Sequence, residues 1–351
     1  MIGRLLYLPY YVLRTSRTEF LKLVRYVIKE KKVSVLSLYA DIFFSAIRYN
    51  ISFMDYFSFR FYKIDKKQRK EFIGSGAMYE FQLKMNPRKF RNVLHNKIEF
   101  LKKFDDCSGR KWATLEMMKK DPDSAMKLLS NPVGKIVVKY SKGQSGKEVQ
   151  VLDTHSLNYS QLIQKMEMLR YDLAEEYIVQ HKDLTRLSPS AVNTVRIVTQ
   201  LYKGEVIIVT SRLRISVNSP VDNISVGNIL VPLDTATGIV TGPGVYHDVT
   251  KPDEYKHPVT NIEFIGFQVP LWEACVELAK QAALRIPENR SVGWDIAVTS
   301  EKPVLIEGNH NWHYLVLQSP ERKGYKKMLQ QYLAYLFAPD CLSFYNICSL
   351  Y

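Results

Sequence analysis

Three groups of residues in this 351-residue chain have the types and spacing to do chemistry. GWDIAV, a short turn and PVLIEGN put Asp295 on one strand and Glu307 and Asn309 at the end of the next. Two paired strands would bring these oxygens together. Two carboxylates and an amide carbonyl are hard ligands suited to Mg²⁺, which takes few protein ligands and completes its octahedron with phosphate and water. A solvated surface hairpin is the plainer alternative, although an unpaired acid inside a run such as VLIEGN is expensive to bury. The second group is Arg196 in TVRIVT with Arg212 and Arg214 in SRLRIS, on neighbouring strands. Arginines at alternate positions share a face, where they can clamp phosphate oxygens and stabilise a moving phosphoryl group. Taken singly, each reads more simply as part of an ion-pair ladder with Glu205 or Asp222.

The third group is strand, loop, strand: Ile136 to Tyr140 with Lys139 near its end, then SKGQSGK, then Glu148 to Leu152. Gly143 and Gly146, with Ser145 beside them, let backbone N–H groups approach an anion while the lysine holds its charge from one side. The P-loop spacing is not met, and an ordinary hairpin is the competing reading. His310 and His313 offer a zinc reading with Glu307, but substrate contact or packing accounts for them more simply. Trp294 and Trp312 read as core aromatics near the acids.

The elements that must position these residues fall in two textures. From Glu19 to Asn50 apolar residues recur at helical spacing, and Asn86 followed by Pro87 predicts a cap opening a helix through Lys97 to Phe104. Asp121 and Pro122 repeat that signal. After Pro132 come β-branched runs (GKIVVKY, KEVQVL, EEYIVQ, NTVRIVTQLY, EVIIVTSRLRI, VGNILVPL, SVGWDIAV, PVLIE), interrupted by helical stretches at Ser156 to Arg170, Pro270 to Arg285 and Glu321 to Phe337. A hairpin is expected across Lys203 and Gly204. This succession predicts an α+β fold. The expected division is a basic helical region over 1–85, a first part with the phosphate hairpin over 86–190, a part with the metal residues over 191–340, and a tail over 341–351.

Charge divides the chain further. Residues 1–120 hold 26 Lys and Arg against 11 Asp and Glu, and the remainder holds 23 against 24. A basic first third can meet nucleic acid, anionic lipid or an acidic substrate. Without a helix-turn-helix, zinc-finger or RNP signature, nucleic acid is not the expected partner. Leu5, Leu6, Tyr7, Leu8, Tyr10, Tyr11 and Val12 lie between Arg4 and Arg14, and more basic residues follow. Peripheral contact with an anionic membrane through residues 1–70 and a basic amphipathic helix docked on its own protein are two readings of equal weight. Neither a transmembrane run nor a secretory signal is read, and four cysteines without paired spacing fit reduced thiols, so the expected place is the cytoplasm or the inner membrane face.

In this order, the three groups resemble the ATP-grasp superfamily, most closely its sugar-transfer associated branch related to α-L-glutamate ligases, over roughly residues 75–335. The resemblance implies two α+β subdomains gripping ATP. NKIEFLKKF resembles the family's early D-K-[LI] helix, which makes Lys97 a phosphate lysine with Asn96 in the usual Asp position. VVKYSKGQSGKEV is similar to its glycine-loop hairpin, with Lys139 as the second nucleotide lysine and Glu148 in place of the last glycine. EEYIVQHKD resembles the strand entering the adenine hinge, implying base contacts from Gln180 and the backbone at His181 and Lys182. DNISVGN resembles N-x-x-x-G-G, placing Asn223 and Gly227 near the transferring phosphate with Asn228 replacing a glycine. GWDIAV and LIEGN match G-V-D-[IL] and E-[VI]-N, making Asp295, Glu307 and Asn309 the magnesium ligands; HNWH stands where S-P-G is usual. The implied reaction uses ATP and Mg²⁺ to activate a carboxylate as an acyl phosphate for an amine, on a small-molecule or glycan substrate such as a sugar acid. A phosphotransferase acting on a sugar hydroxyl and a non-catalytic nucleotide-binding or membrane scaffold are the alternatives.

Overall fold

The structure, a computed structural model, describes residues 7–143 and 149–336. The fold is α+β, with a helical N-terminal region and two antiparallel sheets. Helices Tyr7–Arg14, Arg17–Lys31 and Val35–Tyr49 open the described chain. Ser16 and Ser34 cap the second and third by accepting from Glu19 N and Ser37 N, and left-handed Lys32 and Asn50 end them, so the single expected stretch breaks between residues 32 and 34. Leu23, Val24 and Val27 of one helix and Leu38 and Ile42 of the next pack with Tyr56, Phe57, Phe59, Phe61 and Phe72. Val249, Tyr314 and Leu315 from the body close this cluster, so the basic region is docked on the rest of the protein through a shared apolar interface.

The first sheet contains β1 (Trp112–Thr114), β2 (Lys135–Lys139), β3 (Val149–Asp153) and β4 (Leu173–Glu176) in the order β1-β4-β2-β3. The second contains β5 (Thr194–Tyr202), β6 (Glu205–Ile215), β7 (Ile229–Leu233), β8 (Val245–Tyr246), β9 (Ser291–Val298) and β10 (Pro303–Asn309) in the order β10-β9-β5-β6-β7-β8. The β5–β6 hairpin turns at Lys203 and Gly204, φ 52° and 82°, the two left-handed positions of a tight hairpin. Val195, Ile197, Leu213, Ile215, Ile296 and Leu305 direct one face of this sheet into a core covered by the helix Trp272–Leu284. The opposite face carries the arginines and acids.

Two local expectations fail for physical reasons. Asn86 does not start a helix; the helix Ser75–Met85 ends there, and the fully buried Asn86 amide donates to Ser291 O (2.8 Å) and His310 O (2.7 Å) and accepts from Ser291 N (3.1 Å). It is a tether to β9. Pro87 leads one 3₁₀ turn, and the helix Lys97–Lys103 starts afresh at Asn96, which accepts from Ile98 N at 2.9 Å. The strand expected at EEYIVQ lies earlier, at Leu173–Glu176, because the chain then crosses between the sheets and His181 N bonds Val298 O of β9 (2.6 Å).

Candidate active site

The face of the second sheet away from its core opens on a cavity of about 680 Å³, walled also by β2, the start of the helix Lys97–Lys103 and the N-terminal region. Register explains the meeting of charges on its floor. Arg196 of β5 stands opposite Asp295 of β9, and Asp295 opposite Glu307 of β10. Regular alternation after Leu305, a core residue, would put Glu307 on the core face. A bulge between Leu305 and Glu307 takes up Ile306 and sets Glu307 across from Asp295. Asn309 then pairs with Gly293 and donates to Glu307 Oε1 at 3.2 Å. Gly293 has room for no side chain: a Cβ there would lie 2.8 Å from Trp312 Cβ.

Asp295 is buried and held on both oxygens. Arg196 donates to it through Nε and through Nη2 (2.7 Å), and Arg214 Nη1 donates to Oδ2 at 2.8 Å. Arg214 also pairs with Asp222 at 3.0 Å, and Asp222 accepts from Thr194 N (2.9 Å) and from its hydroxyl. Burial works to raise the Asp295 carboxyl, but the two guanidinia outweigh it and hold it well below the carboxylate range. Glu307 is pushed the other way, first by burial and then by the charge of Asp295. An acid pair with one member buried and the other half-buried favours a shared proton or a bound cation, and its oxygens with the Asn309 amide are the hard donors a Mg²⁺ ion takes. These residues fit that ion.

Two lysines face the acids. Lys97 follows its Asn96 cap, reaches Ser141 O (3.4 Å) and Gly143 O, and titrates low because of burial and the neighbouring Lys139. Lys139 Nζ lies 2.7 Å from Glu175 Oε1, and Arg110 donates to Glu175 Oε2 at 2.7 Å. Burial raises the Glu175 carboxyl, yet these two cations together bring it down to about 2.

Of the residues singled out in the sequence, Lys97, Lys139, Gly143, Arg196, Arg214, Asn223, Asp295, Glu307 and Asn309 line the same cavity, as do Asp222, His310, Trp312 and His313. Ser145 and Gly146, like Glu148, lie outside the described residues. Arg212 is not in the wall. It shares the face, but its fork is spent on Val316 O (2.8 Å), Leu317 O (3.0 Å) and Glu321 (2.7 Å), where it holds the helix Tyr314–Gln318. Gln180, His181 and Lys182 also stand outside it. The Gln180 amide bonds Ser188 O and Ala191 O and accepts from Asn193, and His181 Nδ1 caps the helix Lys182–Leu187. His310 and His313 diverge: His310 Nε2 meets His95 Nε2 at 2.7 Å, while His313 Nδ1 accepts from Leu315 N. Among the described residues no group of three or more His, Cys, Asp and Glu could hold a metal, which overturns the zinc reading. Asn228, where a glycine is usual, is fully buried and ties the loop above the site by accepting from Val217 N and donating to Val221 O and Asn223 O.

Sequence reasoning missed Glu175, His95 and the wall formed by Phe59, Arg60 and Phe72. The last three carry no motif, since only packing brings them there.

A family model described as sugar-transfer associated ATP-grasp matches residues 77–333, most of the chain. The chain belongs to this ATP-grasp family, and Phe59, Arg60 and Phe72 contribute to the cavity from outside the matched span. Similar solved structures include an ADP complex of purK, N5-carboxyaminoimidazole ribonucleotide synthetase (TM-score 0.39, 11% identity, 63% of this chain and 45% of that one). They also include the ATP-grasp ligase PsnB with a precursor peptide and AMPPNP (0.42, 10%, 72% and 62%) and D-alanyl-alanine synthetase A from Vibrio cholerae (0.41, 14%, 70% and 66%). The chain thus spans less than half the length of the first. No curated protein matches it.

Proposed function

We propose that the protein is an ATP- and Mg²⁺-dependent ligase that joins a carboxylate to an amine, with a sugar acid or glycan intermediate as the substrate class. The observation that carries this reading is the pairing of buried Asp295 with half-buried Glu307 beside Asn309, set against Lys97 and Lys139 in one cavity. Asp295, Glu307 and Asn309 would hold the metal, whose chemistry is to neutralise phosphate oxygens and polarise them for transfer. Lys97 and Lys139 supply positive charge from the opposite wall, and Arg196 and Arg214 offer donors to a carboxylate and to departing phosphate oxygens. A carboxylate oxygen attacks the γ-phosphorus, ADP leaves, the amine attacks the acyl carbon, and inorganic phosphate departs as the amide forms. Neither step uses an enzyme nucleophile, and buried Cys107 and Cys275 have no part in them. The family's sugar-transfer description supports the substrate class.

The test is a screen of sugar acids and amines for coupled release of ADP and phosphate, using carboxylates labelled with ¹⁸O. One labelled oxygen should appear in the phosphate. A stable sugar phosphate with no free phosphate would instead assign a phosphotransferase.

A further inference from the structure

The outward face of the helix Val35–Tyr49 is at odds with exposure to water. Its buried stripe is Leu38, Ile42, Ser45, Ala46 and Tyr49, so the opposite side should be polar. Instead it carries Leu36 (84% exposed), Tyr39, Phe43 and Phe44 (67%), at spacings that keep them together. The only charged residues of this helix are Asp41, bound by Arg69 and Tyr56, and Arg48. The helix Tyr7–Arg14 adds Tyr10, Val12 and Leu13 (84%). Ring contacts run from Tyr11 to Phe53 of the helix Phe53–Ser58, on to Phe20 of the helix Arg17–Lys31 and then to Tyr39, and so link the two helices. Exposed Arg14, Arg17, Arg25, Lys29, Lys31 and Lys32 lie on the same three-helix layer. Residues 7–50 hold eight Lys and Arg against three Asp and Glu.

We propose that this layer docks on an anionic lipid bilayer. Exposed leucine and aromatic side chains suit the boundary between headgroups and acyl chains, while arginine and lysine meet lipid phosphates, the combination that holds an interfacial helix in place. The contact lies in the plane of the surface, because no helix among the described residues is long and apolar enough to cross a membrane. A second copy of the chain is disfavoured as occupant, since it would press two basic surfaces together. The proposal uses no cavity residue and stands or falls apart from the ligase reading.

Full-length protein is floated with phosphatidylcholine vesicles, with or without phosphatidylglycerol. Two variants are compared, Leu13→Ser/Leu36→Ser/Phe44→Ser and Arg25→Glu/Lys29→Glu, all at exposed positions, with circular dichroism confirming the fold. The wild type should float with the anionic vesicles only, salt should weaken it, and each variant should lower the bound fraction roughly tenfold or more. Three results would overturn the proposal. One is a wild type that does not float, and another is undiminished flotation of the triple variant. The third is a dimer that the triple variant converts to monomers without any flotation, which assigns the face to a second copy.

Discussion

Asp295 and Glu307 stand opposite each other in one register pair, yet their surroundings drive them apart. Two guanidinia keep Asp295 ionised, whereas burial beside a negative neighbour draws a proton toward Glu307. Their substitutions should therefore differ. Asp295→Asn leaves Arg196 and Arg214 short of a buried counter-charge and should cost on the order of 3–5 kcal/mol. Glu307→Gln removes a charge that burial and the neighbouring Asp295 already disfavour and should shift stability by less than about 1 kcal/mol. Urea denaturation followed by circular dichroism measures both, and equal losses would contradict this account. Glu175 gives a pH signature. Its carboxyl is about 2 in the folded protein against an ordinary 4.5, so its contribution is complete above the higher value and is lost as pH falls toward the lower. That contribution is on the order of 3 kcal/mol. Wild-type stability should drop more steeply than that of Glu175→Gln between about pH 5 and about pH 3, and parallel slopes would count against the ion pair.

The helix Tyr314–Gln318 is where separate parts of the protein are fastened together. Arg212 holds its Val316 and Leu317 carbonyls from β6, and Tyr314 donates its hydroxyl to the buried Asp55 of the N-terminal region. Asp55 also accepts from Ser52 N (2.8 Å) and Ser75 N (2.9 Å), so Tyr314→Phe removes one bond of three and should cost about 1–3 kcal/mol in urea denaturation. A neutral result would show that this bond does not fasten the two parts. Arg212→Lys keeps the charge but not the planar fork, and the same measurement should show a loss of about 2–4 kcal/mol; an unchanged midpoint would mean the fork is dispensable. Elements of this size were unevenly legible in the sequence. The β9–β10 hairpin could be read because its acids interrupt apolar strands, and the β5–β6 hairpin because Lys203-Gly204 separates two β-branched runs. The Ile306 bulge could not be read, since alternation continued from Leu305 puts Glu307 on the wrong face. Asn86-Pro87 has the composition of a helix cap, and only the approach of β9 makes it a tether. Gln180 and Arg212 show the same limit: residue type announced hydrogen-bonding capacity but not which partner would use it.

Across the whole molecule, the uneven charge has a structural counterpart. As far as Phe72 the basic first third is a docked helical layer, and its inner edge reaches the cavity through Ser58, Phe59, Arg60 and Phe72. Removing it would strip Val249, Tyr314 and Leu315 of apolar cover and open one side of the site, so surface substitutions, rather than truncation, separate its outer face from its inner one. The central claim, that the paired acids serve a metal-bound nucleotide, is tested most directly by calorimetry of ATP binding with and without Mg²⁺, for full-length wild type and Glu307→Gln. Wild type should bind in a Mg²⁺-dependent manner, and a variant that remains folded should lose at least about tenfold in affinity. Failure of the wild type to bind, or Mg²⁺-dependent binding of equal strength by the variant, would contradict that claim.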